Sequence, residues 1–149
     1  MNLNLPALEN PRLRRTPRGL DIYDPLRDKF VALTPEETVR QHFTSFLVNQ
    51  RGFPASLMAN EVSLKLNGTS RRCDTVVFDS DLKPFVIIEY KASDIPVTQA
   101  VFEQILRYNI VLHARYLIVS NGMRHFCCRI DYENGRHRFL TDIPRYNEL

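Results

Sequence analysis

No stretch of this sequence stays apolar for the roughly 20 residues that a membrane-spanning helix needs, so no membrane partner is expected. Its N-terminus, MNLNLPALENPRLRR, lacks the apolar centre of a secretory signal, and a cytoplasmic location is expected. Cysteine is scarce. Cys73, Cys127 and Cys128 are too few and too clustered for a disulfide framework and read as reduced thiols. Neighbouring strand residues point to opposite faces, so Cys127 and Cys128 are badly placed to share a zinc ion. His42, His113, His125 and His137 are scattered, without the spacing of HExxH or of a metal finger. The chain also lacks G-x-S-x-G and G-x-x-x-x-G-K-[ST], which removes a nucleophile elbow and nucleotide hydrolysis from consideration. A large excess of one charge is missing too, because the net charge is only +3.

What is present fits one globular domain. A length of 149 residues suffices to bury a core without staples, and 44% hydrophobic with 25% charged residues is ordinary for a soluble protein. Of the 20 basic residues 16 are arginine, whose planar fork suits phosphate. They cluster at Arg12, Arg14, Arg15 and Arg18 and again at Arg71 and Arg72, although a solvated surface accounts for such clusters equally well.

Residues 1–20, rich in Pro, Asn and Arg, read as an extended arm. Residues 20–33 read as two short strands around Asp24-Pro25. Together 1–33 are expected to pack on a body formed by 34–149. Thr34-Pro35-Glu36-Glu37 has the form of a capping box with proline at the first helical position. Val39, Phe43, Phe46 and Leu47 continue at helical spacing until Gly52 and Pro54 stop the helix. Strands are predicted at 60–66, 72–79 and 84–91, the first two joined by the turn dipeptide Asn67-Gly68. The last two are β-branched and apolar on both faces, as central strands are. A second helix is predicted over 97–113, then a buried strand at 116–120 and a hairpin of 125–131 with 138–141. The order is αβββαβββ.

The short link Ser80–Lys83 makes the strands 72–79 and 84–91 an antiparallel hairpin, and its symmetry sets Asp74 directly opposite Glu89. Side chains of such a pair lie about 5 Å apart. Glu89 and Lys91, two residues apart, share that face. Three ionisable groups therefore converge on a sheet of Val, Ile and Phe. Two crowded carboxylates repel and lose hydration unless something compensates them. Mg²⁺ would do so, since it binds through one or two carboxylates and keeps waters for a phosphate. The bland reading is a structural ion pair. About 0.2 Glu-x-Lys triplets are expected by chance in this composition, so the triplet alone is weak. Its place at the end of an apolar strand, facing an Asp, is what gives it meaning.

Asp74-x14-Glu89-Tyr90-Lys91, followed on a helix by Gln104-x3-Tyr108, resembles the PD-(D/E)xK nuclease superfamily. More narrowly, TPEETVRQHF, RRCDTVVFD, PFVIIEYKAS, FEQILRYN and YLIVSNG resemble, in that order, the N-terminal nuclease domain of type I restriction enzyme R subunits. The likeness spans about residues 34–125. It implies an α/β (α+β) fold with a restriction-endonuclease-like core, a mixed sheet flanked by helices. It also implies a DNA endonuclease using Mg²⁺, with Mn²⁺ as substitute. By the same resemblance Asp74, Glu89 and the main-chain carbonyl of Tyr90 would hold the metal, and Lys91 would be the catalytic lysine. Gln104 and Tyr108 would orient the site and contact DNA, and their i, i+4 spacing puts them on one helix face. Tyr108 could instead be a core aromatic. A first-helix acid, Glu37, could reach the metal, yet its place in the capping box explains it without one. Arg71 and Arg72, flanking the hairpin, are candidates for phosphate contacts. Implied partners are DNA, a helicase/translocase or a methylase-specificity complex, and a second copy in a homodimer. A non-catalytic DNA-binding or assembly module is the competing expectation. Cys73 stands where the motif's name has proline, and it alternates away from Asp74 as a packing residue.

Overall fold

The computed structural model describes residues 2–149. A small antiparallel sheet comes first, built in order from β1 (Leu13–Thr16), β2 (Gly19–Asp24) and β3 (Lys29–Ala32). Then follow helix α1 (Pro35–Gln50) and strands β4 (Met58–Leu66), β5 (Thr69–Phe78) and β6 (Pro84–Tyr90). Helix α2 (Gln99–Asn109) leads to β7 (Tyr116–Ser120), β8 (His125–Asp131) and β9 (Arg136–Leu140). Strands β4 to β9 form one mixed sheet in sequence order, antiparallel except where α2 carries the chain across to pair β7 parallel to β6. That crossover is why β6 and β7 end together at Tyr90 and Ser120. Among the described residues no helix is long and apolar enough to cross a membrane.

The strands follow from local sequence. Asn67 and Gly68 take left-handed φ of 50° and 77°, as a two-residue hairpin loop requires, and return β4 onto β5. Gly52, at φ 68°, lets the chain leave α1. β6 and β7 sit inside the sheet with Val86, Ile87, Ile88, Leu117, Ile118 and Val119 all essentially sealed from solvent. One apolar layer joins Val39, Phe43 and Leu47 of α1 to Val77, Val86, Ile88 and Ile118. The other joins Phe102 and Leu106 of α2 to Val76, Ile87, Leu117 and Val119. Cys127 belongs to the first layer and Cys128 to the second, on opposite faces as adjacent residues must be.

Two expectations change. The arm at 1–20 contains a true strand, β1, whose LRRT sequence is exposed and carries no hydrophobic pattern. Before it, Leu3 and Leu5 pack on the α1 layer, with the Asn4 N–H bonded to the Gly122 carbonyl at 2.8 Å. The second helix is also shorter than 97–113. Thr98 caps it by accepting the Val101 N–H, and after Asn109 the chain tightens into a 3₁₀ turn ending at His113, φ 55°.

The small sheet docks on the body through buried charge. Asp24, fully buried, accepts from the Arg27 guanidinium, the Leu26 N–H at 2.9 Å and Asn60 Nδ2 at 3.0 Å. Arg27 also donates to Glu37 at 2.7 Å, so β2 and α1 share one ionic bridge. Breaking a buried pair strands its partner. Asp24→Ala is expected to destabilise the protein by about 3–5 kcal/mol, checked by urea denaturation. A change below ~0.5 kcal/mol would show that the bridge adds nothing to docking.

Candidate metal centre

β5 and β6 pair Thr75 with Ile88, Val76 with Ile87 and Val77 with Val86, which makes Asp74 and Glu89 the next pair along. The register slips only between Val77 and Phe78, on the turn side, and leaves the far end aligned. Asp74 is fixed by the Tyr90 N–H, which it accepts at 2.8 Å. Glu89 lies within hydrogen-bonding reach of it.

Asp74 sits where the strand pair turns over. Met58 and Val77 pack against α1, whereas Val62, Leu64 and Cys73, of matching parity on the same two strands, pack on the α2 side. The change of face falls between Asn60 and Val62, where Glu61 adopts a left-handed φ of 54°. Asp74 therefore reaches α1 on one side and Glu89, on the face of Ile87, on the other.

The two carboxylates are held differently. From α1, Arg40 Nη2 approaches Asp74 at 3.7 Å while bonding Glu61 at 2.6 Å, and its Nη1 bonds Glu37 at 2.5 Å. Among the described residues Glu89 forms no ion pair of this kind. Its Oε1 is buried with no hydrogen-bond partner among the described residues. Burial, reinforced by the Asp74 charge, pushes its carboxyl up to about 9, so it holds a proton at neutral pH. An orphaned buried oxygen beside a second carboxylate is the donor set that a hard divalent cation fits. Among the described residues no group of three or more His, Cys, Asp or Glu is placed to hold a metal ion.

Lys91 lies one residue beyond β6, where its N–H extends the pairing to the Ser120 carbonyl at 2.9 Å. Its charge acts on Glu36 at the start of α1. Burial and the charge of Asp74 raise the Glu36 carboxyl, and Arg40 and Lys91 lower it. Glu36 also adds to the raised Glu89 carboxyl, so it is the first-helix acid that faces the pair.

Glu37 is committed elsewhere. Its N–H bonds Thr34 Oγ1 at 3.0 Å, half of the capping box, but its carboxylate turns to Arg27, Arg40 and Gln41 instead of back to the cap. Glu36, Arg40 and Glu61 are the neighbours that sequence reasoning missed. No local pattern pointed to them, since the buried face of α1 carries Glu37, Arg40, Gln41 and Thr44 among its apolar residues.

Gln104 and Tyr108 are both exposed on α2. Tyr108, 48% exposed, is not a core aromatic. Arg71 donates to its carbonyl at 2.8 Å and stacks its guanidinium 4.5 Å from its ring. Arg72 bonds Glu61 at 2.8 Å and stays open to solvent. Tyr90 turns its ring to the α1 side, where its hydroxyl donates to Thr75 at 2.9 Å, and leaves only its backbone at the acidic pair.

The family described as type I restriction enzyme R protein N terminus matches residues 35–144. The chain belongs to that family. Among solved structures it is similar to a fragment of a putative HsdR subunit of a type I restriction enzyme from Vibrio vulnificus YJ016, with TM-score 0.55 and 23% identity over 80% of this chain. The chain spans 25% of that protein's length in the structure, and the likeness concerns the fold. No curated protein matches the sequence.

In this R-protein N terminus the Glu89 carboxyl titrates higher folded than unfolded, where its ordinary value is 4.5. Between 4.5 and about 9 the unfolded chain binds fewer protons, so the fold loses stability as pH rises through that window. Glu89→Gln is expected to flatten this fall. Urea midpoints at pH 5 and pH 8.5 in EDTA check it, and an unchanged slope would refute the raised carboxyl.

Proposed function

We propose that this chain is a Mg²⁺-dependent endonuclease domain that hydrolyses phosphodiester bonds of DNA within a type I restriction system. The observation that carries the reading is the Asp74–Glu89 pair, with Glu89 Oε1 buried and unpartnered and Lys91 two residues on, just past the end of β6. Family membership supports the restriction context.

In this reading Asp74 and Glu89 hold the cation, with the Tyr90 carbonyl beside them. A bound Mg²⁺ or Mn²⁺ supplies Lewis acidity toward a phosphodiester oxygen and a source of nucleophilic water. Glu89 gives up its proton on binding, so affinity for the ion rises with pH. Lys91 donates to the charge that develops on the phosphoryl oxygens. The Arg40 charge, 3.7 Å from Asp74 Oδ1, steadies Asp74 beside the site. Arg72, with Arg71, meets DNA phosphates at the rim, while Gln104 and Tyr108 line its approach from α2. A helicase/translocase and the methylase-specificity subunits of a type I complex are the fitting partners, and a second copy would let both strands be cut.

One observation favours the competing reading, a DNA-binding or assembly module without catalysis. Arg40 already compensates Asp74 without any ion. Mn²⁺ titration separates the two. The wild type is expected to bind Mn²⁺ more tightly by about tenfold per pH unit below 9, one proton being released per ion. Asp74→Ala and Glu89→Ala are expected to abolish both binding and cleavage of linear or supercoiled DNA. Lys91→Ala is expected to keep Mn²⁺ binding and to slow cleavage by roughly 10²–10³-fold. No Mn²⁺ binding and no cleavage by the wild type would leave the assembly reading standing.

A further inference from the structure

At the end of the sheet remote from the acidic pair lies a second polar concavity of 710 Å³. Its walls carry Arg115, Arg129, Arg136 and Arg138 with His113 and His137. Ser120, at the near end of β7, pairs with Tyr90, while Arg115 stands just before the other end. Five strand residues separate the two places, about 16 Å at strand rise.

Three features make this more than a solvated surface. Arg129 and Arg138 are direct cross-strand partners, an arrangement of like charges that is unfavourable by itself. Arg136 faces Asp131 in register, yet Asp131 spends its carboxylate on the hairpin turn, accepting Asn134 Nδ2 at 2.7 Å and the Glu133 N–H at 3.1 Å. None of the four arginines forms an ion pair among the described residues. The fold thus sets four guanidinium forks around one hollow whose two acids, Asp131 and Glu133, are outnumbered and form no ion pair with them among the described residues.

We propose that this hollow is a phosphate-backbone site for nucleic acid, separate from the acidic centre and independent of whether that centre cuts. Arg129 and Arg138 face each other across β8 and β9 about 4.8 Å apart, and Arg136 lies two residues along β9 on the same face, a short cluster of planar donors suited to successive phosphates. His113 stacks on Tyr132 with centroids 4.5 Å apart and planes 13° from parallel, giving the rim an aromatic plate for a sugar or base. A lipid surface would need exposed apolar side chains to insert. The aliphatic side chain in the lining, Ile130, is buried.

The test uses the full chain in EDTA, so binding is read without cleavage. Affinity for a 20-bp duplex is measured by fluorescence anisotropy across a KCl series for the wild type, the R129Q/R136Q/R138Q triple and a triple with lysine at the same positions. Each phosphate that is no longer neutralised flattens the slope of log K against log [KCl] by about 0.9. The glutamine triple is expected to flatten it by about 2–3 and to bind at least tenfold more weakly, with the lysine triple keeping the wild-type slope. Should the glutamine triple fold poorly, R138Q alone is expected to flatten the slope by about 0.9. Unchanged slopes, or a lysine triple as flat as the glutamine one, would overturn the proposal. So would wild-type binding to phosphatidylglycerol vesicles that equals DNA binding and is abolished in the same variant.

Discussion

The structure depends on one buried guanidinium. Arg40 lies inside α1 with its side chain almost fully covered, and it cannot shed its charge at any ordinary pH. A buried cation of this kind has to be surrounded by acceptors. Glu37, Glu61 and Asp74 supply them from the helix, β4 and β5, and Arg27 and Asp24 extend the same lattice to the small sheet. Several otherwise odd features follow. Glu61 tolerates a left-handed backbone because there it gives one oxygen to Arg40 and the other to Arg72. The β4–β5 pair turns over at the same point, and Asp74 is left at the crest.

This lattice makes the two acids of the candidate centre unequal. Asp74 is anchored twice, by the Tyr90 N–H and by the approach of Arg40, a donor and a cation that both suit an anion. Glu89, on the opposite side of the crest, has burial and a neighbouring negative charge, both of which favour its neutral form. One strand pair thus carries two acids in unlike settings, Asp74 met by donors and Glu89 shut away from them. Asymmetry of this sort is a common property of carboxylates arranged for chemistry, because environments that differ give the groups separate tasks.

Much of this was legible because it is local. The Ser80–Lys83 link and the apolar runs around it fixed a register, and register put Asp74 against Glu89. Asn67-Gly68, Gly52 and Thr34 marked turns and caps by conformational need alone. Whatever depended on long-range pairing was opaque. Arg40 meets partners 21 and 34 positions away, and no window of sequence relates Arg40 to Glu61 or Asp74. For the same reason Glu37 read as a capping-box acid or a metal neighbour, although Arg27 and Arg40 had claimed its carboxylate, and Glu36 went unnoticed beside it. β1 was missed because a solvent-facing strand at a sheet edge needs no apolar alternation.

The neutral Glu89 has a bearing on biogenesis. Had both acids been obliged to stay ionised, closing the sheet would shut a second, uncompensated negative charge in beside Asp74. With the proton in place the polypeptide can close the sheet around both acids without a counter-ion.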